Sequence, residues 1–263
     1  MRKLFNLAGL AHDREGKLIL GCLAHLHFQI GSHFKQVGCL VGHLSDAASL
    51  GVMLIIRRQT GLNFGGMADA QPGWLQFLEI LVIADFLAYL YHRALHRNAY
   101  LWRLHRVHHS SPQMDWLVNV RLHPLDKLGG DCFQFIPIFL LGFSDAPLLT
   151  YTIFLGFQGF FNHSNISLHF GPLRWVIASP QFHHWHHCDD PKAHNRNFAP
   201  HLVIFDLLFD TAYLPSDAAM PDKYGISDQV PDSFWHQMIH PLQQVTDEAN
   251  AEQARRLTAD QAH

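Results

Sequence analysis

Histidine is the residue whose number and spacing stand out in this chain. There are 22 among 263 residues, as many as all the acids together. Three short words hold the patterned ones. They are HRALH with His92 and His96, HRVHH with His105, His108 and His109, and HHWHH with His183, His186 and His187. Random placement at this histidine content would give roughly 0.15 HxxHH matches per chain, and this chain has two. On a helix, positions i, i+3 and i+4 share a face, so each word can aim its imidazoles at one point. Convergent neutral imidazoles are metal ligands. His163, in FFNHSN, joins them by its place at the end of an apolar segment.

The same words exclude other chemistries. No carboxylate lies within them, so they do not form a carboxylate-rich di-metal bundle. HExxH is absent, so a zincin-type protease would lack its general base. The cysteines, Cys22, Cys39, Cys132 and Cys188, are widely separated, which argues against a disulfide framework or a cysteine-held cluster. A net charge of −3 argues against nucleic-acid binding. Nine histidines overfill one metal, so two metals are expected. Zinc has no redox chemistry, whereas iron accepts nitrogen ligands and activates O2.

The positioning elements are apolar. Residues 37–56 and 74–91 are long enough to cross a bilayer, and 132–143 with 146–161 read as a hairpin that dips into it and returns. Lysines and arginines before 37, between the spans and after 92 place the histidine region on the cytoplasmic side. Within 74–91, Asp85, Tyr89, His92 and His96 fall on one stripe, so Asp85 is expected to orient a ligating imidazole from another helix. Residues 202–209, LVIFDLLF, read as a short helix, and 246–260 as a polar surface helix. The expected fold is all-α, with apolar helices that enter a membrane and the histidine words beside their ends. Its parts are an N-terminal segment 1–73 with one span, a histidine-bearing region 74–215 and a polar tail 216–263.

HRALH, HRVHH and HHWHH, in this order, resemble the three histidine boxes of the sterol desaturase / fatty acid hydroxylase superfamily. LWRLHRVHHSSPQMDW, RLHPLD, GPLRWVIASPQFHHWHH and NFAPHLVIFDLLFDTAY extend the likeness over 74–215. The resemblance implies that 74–215 is a catalytic domain, an integral membrane helical bundle with a cytosolic histidine-rich cap that holds a di-metal site. It implies a membrane-bound oxygenase with two iron ions and O2 as co-substrate, which hydroxylates or desaturates a sterol-, fatty-acyl- or isoprenoid-type lipid. It puts His92, His96, His105, His108, His109, His163, His183, His186 and His187 on ligand positions. Ser167 stands where fatty acid hydroxylases carry a further histidine, so His123, His169 and His194 are candidates for a tenth ligand. His184 occupies the variable position of its box. No cytochrome b5-like or cysteine-cluster segment is present, so a separate ferredoxin- or cytochrome b5-type electron donor is expected. The expected location is a multi-pass place in a membrane, a bacterial inner membrane before the endoplasmic reticulum. The competing reading is a non-catalytic, histidine-rich membrane metal-binding or transport protein.

Overall fold

The computed structural model describes residues 51, 52, 55, 59, 68–168, 170–215, 220–227, 230, 231 and 233–241. The expected span over 37–56, apart from 51, 52 and 55, and the helix over 246–260 lie outside them. Among the described residues the structure is helical, with only isolated β-bridges, Ile177 to Leu202 and Cys188 to Tyr224.

Helix α1 is Gly73–Arg97 and α2 is Ala99–His109. One residue separates them. Asn98 adopts an extended conformation and its side chain accepts the backbone N–H groups of Tyr100 and Leu101, so it ends one helix and caps the next. This break folds HRVHH back onto HRALH. A 3-10 turn, Trp116–Val120, leads to α3, Pro124–Leu141, and α4, Asp145–His163. Another 3-10 turn, Gly171–Trp175, precedes α5, Pro180–His186, and α6, Ile204–Leu208.

Helices α1, α3 and α4 pack as a bundle around Ile80, Ala84, Ile138, Phe143, Leu148 and Tyr151. The α3–α4 hairpin turns at Gly142, which is left-handed at φ 76° as a helix C-terminus favours. There Ser144 donates its N–H to Gln76 at 2.8 Å, tying the hairpin tip to the start of α1. The arms are longer than the apolar runs suggest. Pro124 at the first turn, capped by the His123 ring, starts α3 eight residues before the apolar run begins at 132. At 1.5 Å per residue each arm measures about 27 Å, so the hairpin reaches the full depth of the α1 apolar stretch. By length and composition, α1 is the helix among the described residues that is long and apolar enough to cross a membrane.

Three hydrogen bonds link residues on either side of 215. Asp189 donates its N–H to Lys223 O, Gly225 donates to His187 O, and the His123 ring donates to Met238 O. Lys223, Gly225 and Met238 therefore lie against the histidine region, a contact that a polar composition does not announce.

Candidate metal centre

Nine buried or half-buried histidines meet where α1 and α4 end and α2 and α5 cross them. They form two groups. His92, His96, His105, His109 and His186 make one, and His108, His163, His183 and His187 the other. In each group one ring nitrogen per residue lies within 4.8 Å of the others.

Each HxxHH word is divided between the groups. His105 and His109 join the first and His108 the second; His183 and His187 join the second and His186 the first. Helical geometry explains the division. Residues i and i+4 differ by about 40° around the axis, while i+3 lies about 60° to the other side. A single convergence point for each word is therefore not what the fold builds. The two words supply an i,i+4 pair to one group and a lone imidazole to the other, in opposite sense.

Hydrogen bonds at the outer nitrogens set the tautomers. The Nδ1–H of His92 donates to Phe198 O at 2.8 Å, that of His186 to Arg196 O at 2.7 Å and that of His163 to Gly159 O at 2.8 Å. His105 Nδ1 donates to the Asp126 carboxylate at 2.8 Å. Each of these leaves Nε2 with a bare lone pair. The Nε2 atoms of His92 and His105 then face each other 3.1 Å apart with no proton between them. The Nε2 of His163 lies 2.9 Å from that of His183 and 3.2 Å from that of His108. The Nε2 of His186 is buried without a hydrogen-bond partner. Opposed lone pairs in a dry interior repel unless a cation lies among them. Adjacent nitrogens about 3 Å apart also suit a metal bound at about 2.1 Å. Burial, with neighbouring imidazoles adding to it, pushes His108, His109, His183, His186 and His187 well below the usual histidine range. Those rings are neutral, the ligating form. The donor set fits two metal ions held by nitrogen.

Supporting groups lie one layer out. The Tyr91 hydroxyl donates to Asp126 O at 2.9 Å, and Gly129 and Gly130 make room for the Tyr91 ring against α3. Gly159 likewise lets Asn119 approach α4 beside the carbonyl that holds His163. The loop Asn197–Val203 presents Phe198 O to His92 and is clamped by two fully buried acids. Asp206 accepts the N–H groups of Phe198 and Ala199 and the Thr211 hydroxyl. Asp85 accepts the N–H groups of His201 and Leu202 at 2.9 and 2.7 Å and the His201 ring at 2.9 Å.

Asp85 therefore touches none of the nine, and its place on the α1 stripe misleads because α5 and α6 bring a loop, not a ligating ring, against it. The carboxylate on a ligand-type imidazole is Asp126. RLHPLD in the sequence carried that acid, but nothing in its spacing tied it to His105. His123 lies outside both groups, with Nδ1 accepting from Leu125 N–H and Nε2 donating to Met238 O. His194 is exposed, and His169 is outside the described residues. His184 points away from both groups; its ring bonds the Tyr224 hydroxyl at 2.8 Å and Ser164 O at 3.1 Å, and burial lowers it to about 4. A cleft of about 260 Å³ reaches the first group, with His96, His109 and His186 in its wall beside Trp102, His194 and Ile226.

Comparison with known proteins agrees with the centre. The fatty acid hydroxylase family model matches residues 77–211. An ornithine lipid hydroxylase from Rhizobium tropici is 35% identical over 179 residues, 66% of this chain and 52% of that protein. An alkylglycerol monooxygenase from Caenorhabditis elegans is 31% identical over 136 residues, 50% of this chain and 26% of that one. A very-long-chain aldehyde decarbonylase from Oryza sativa subsp. indica is 26% identical, covering 55% of this chain and 24% of that protein. The chain thus spans about half the length of these relatives, or less. No solved structure matches it. Since the family match runs from the first turns of α1 to the Thr211 that Asp206 holds, and so contains all nine histidines, the chain belongs to the fatty acid hydroxylase family.

Proposed function

We propose that this chain is a membrane-bound di-iron oxygenase that hydroxylates a C–H bond of a lipid, with O2 as co-substrate and electrons from a separate protein donor. The observation that carries the reading is the paired arrangement of nine buried or half-buried imidazoles, five and four, with Nε2 atoms facing one another. Zinc would fit the nitrogen donors but cannot supply oxidation. Two irons held by these nitrogens would supply reductive activation of O2 for the oxidation of a C–H bond. Lipid hydroxylase and monooxygenase relatives favour hydroxylation over desaturation.

The chain's own groups do the holding. Asp126 and the carbonyls of Phe198, Arg196 and Gly159 keep the Nδ1 protons outward, so the rings cannot rotate out of register. The rings of the second group are all buried and the cleft reaches the first, so burial limits side reactions of reactive oxygen chemistry with water without closing the site. Helix α1 crosses the membrane, the α3–α4 hairpin is inserted beside it, and the histidine centre lies at the cytoplasmic end, where Arg93, Arg97, Arg103 and Arg106 cluster in the sequence.

The test is lipid mass spectrometry of cells with and without the gene, grown under isotopically labelled O2. The reading expects a lipid that gains one labelled oxygen atom only when the gene is present. Identical lipid profiles together with exchangeable zinc in the purified protein would support the metal-carrier alternative instead.

A further inference from the structure

The apolar word LVIFDLLF is not consumed by the metal centre. Helix α6 buries Phe205 and Asp206 and turns Ile204, Leu207 and Leu208 outward, followed by Phe209. Next to it, the 3-10 turn Gly171–Trp175 and the residues after it expose Leu173, Trp175, Val176 and Ile177. Backbone bonds join the two segments. Ala178 N–H donates to His201 O at 2.7 Å, Val203 N–H donates to Val176 O at 3.1 Å, and Ile177 bridges Leu202. The outcome is one apolar platform. Its helix is five residues long and rises about 7.5 Å, far too little to cross a bilayer. Contiguous exposed apolar side chains of this kind mark an interaction site.

Contacts at its two edges fix its depth. The Phe209 ring stacks on Tyr89 of α1 at 5.3 Å between centroids, and the Arg93 guanidinium lies 5.7 Å from the Phe209 ring centre. Arg93 is the first cation after the apolar stretch of α1, so Phe209 sits where α1 leaves the hydrocarbon. At the other edge Phe170 packs on Phe161, two residues before α4 ends at His163. The platform thus meets both helices at their exit level. Phe209 and Phe205 also pack on Phe86 of α1, and Val82 and Leu78, one and two turns before Phe86, are exposed. The Arg174 guanidinium lies over the Trp175 ring, a pairing suited to the headgroup level, where one end of a side chain is apolar and the other wet.

We propose that this platform lies flat in the membrane interface, inserted among the headgroups and upper acyl chains of the leaflet that holds the C-terminal end of α1. A lipid leaflet is favoured over a second protein copy because the platform adjoins the apolar surface of α1 at the level of its exit. The proposal rests on the membrane reading of α1. Its consequence concerns the site, because Val176–Ala178 runs directly into Ser179, the N-cap of α5, which carries His183, His186 and His187. An inserted platform seats that helix at the leaflet, within lateral reach of a lipid.

The test uses the full chain reconstituted in phosphatidylcholine–phosphatidylglycerol vesicles. Leu208→Cys and Val82→Cys are labelled with an environment-sensitive fluorophore, and the signal of the parent chain with its native cysteines is subtracted. Lipids brominated on the acyl chain are the membrane quencher and iodide the aqueous one. The proposal expects a loss of fluorescence from brominated lipid at Leu208→Cys comparable to that at Val82→Cys, with little from iodide. If Val82→Cys is quenched by lipid while Leu208→Cys answers to iodide, the platform is solvated and the proposal fails with the membrane reading intact. If Leu208→Cys is shielded from both quenchers, a protein covers it and the proposal again fails. If Val82→Cys is not quenched by lipid, the membrane reading of α1 fails, and the platform proposal with it.

Discussion

Asp126 accepts the Nδ1–H of His105 at 2.8 Å, with both side chains nearly fully buried. Removing a carboxylate that orients a ligating imidazole typically costs 10- to 100-fold in metal affinity or activity. Asp126→Ala is expected to weaken iron retention under chelator challenge by about that factor. Asp126→Asn should do less harm, since its amide oxygen still accepts the imidazole N–H. Equal retention by wild type and both variants would remove Asp126 from the account.

Asp85 gives the contrasting case. Its carboxylate is fully buried and accepts from His201 and Leu202, neither a member of the two histidine groups. Asp85→Ala leaves two backbone N–H groups and a ring N–H without their acceptor, each costing about 1–3 kcal/mol. A marked fall in thermal midpoint is expected, with a smaller change in chelator-resistant iron than Asp126→Ala produces. The opposite order of the two variants in the chelator assay would show that Asp85 acts on the metal after all.

His184 and His187 share one box and separate sharply in space. His184→Gln is expected to keep both metals and most activity, since its ring bonds Tyr224 and Ser164 outside the centre. His187→Gln removes one of the four nitrogens of the second group and should lose at least one metal. Elemental analysis of the two purified variants checks this, and matching losses would mean that the box is divided differently.

The sequence made eight of the nine histidines legible because helical periodicity repeats within each box, and apolar runs exposed α1 and the α3–α4 hairpin, at whose end His163 stands. It did not show that each HxxHH word splits between two groups. Helical angles allow the division, but which neighbour each face meets depends on the fold; for HRVHH, Asn98 sets this by turning α2 back on α1. Asp126 was hidden for a related reason. It lies 21 residues from His105 and is delivered by the start of α3. Periodicity within one helix promoted Asp85 instead, although its partners, His201 and Leu202, are 116 and 117 residues away.

The split of the centre makes its own prediction. His186 belongs to the five-histidine group and borders the cleft, whereas His183 belongs to the four-histidine group. His186→Ala and His183→Ala should each lower iron content, but by emptying different positions. The two single-iron forms are expected to give different Mössbauer parameters. Identical spectra would indicate one shared position rather than two.

The most direct test of the central claim is the metal count of the wild-type chain, purified from cells grown with ample iron and measured together with protein concentration. Five and four inward-facing imidazoles predict about two irons per chain, with zinc as a minor component. One metal per chain, or zinc filling both positions in protein that oxidises lipid at full rate, would contradict the di-iron account.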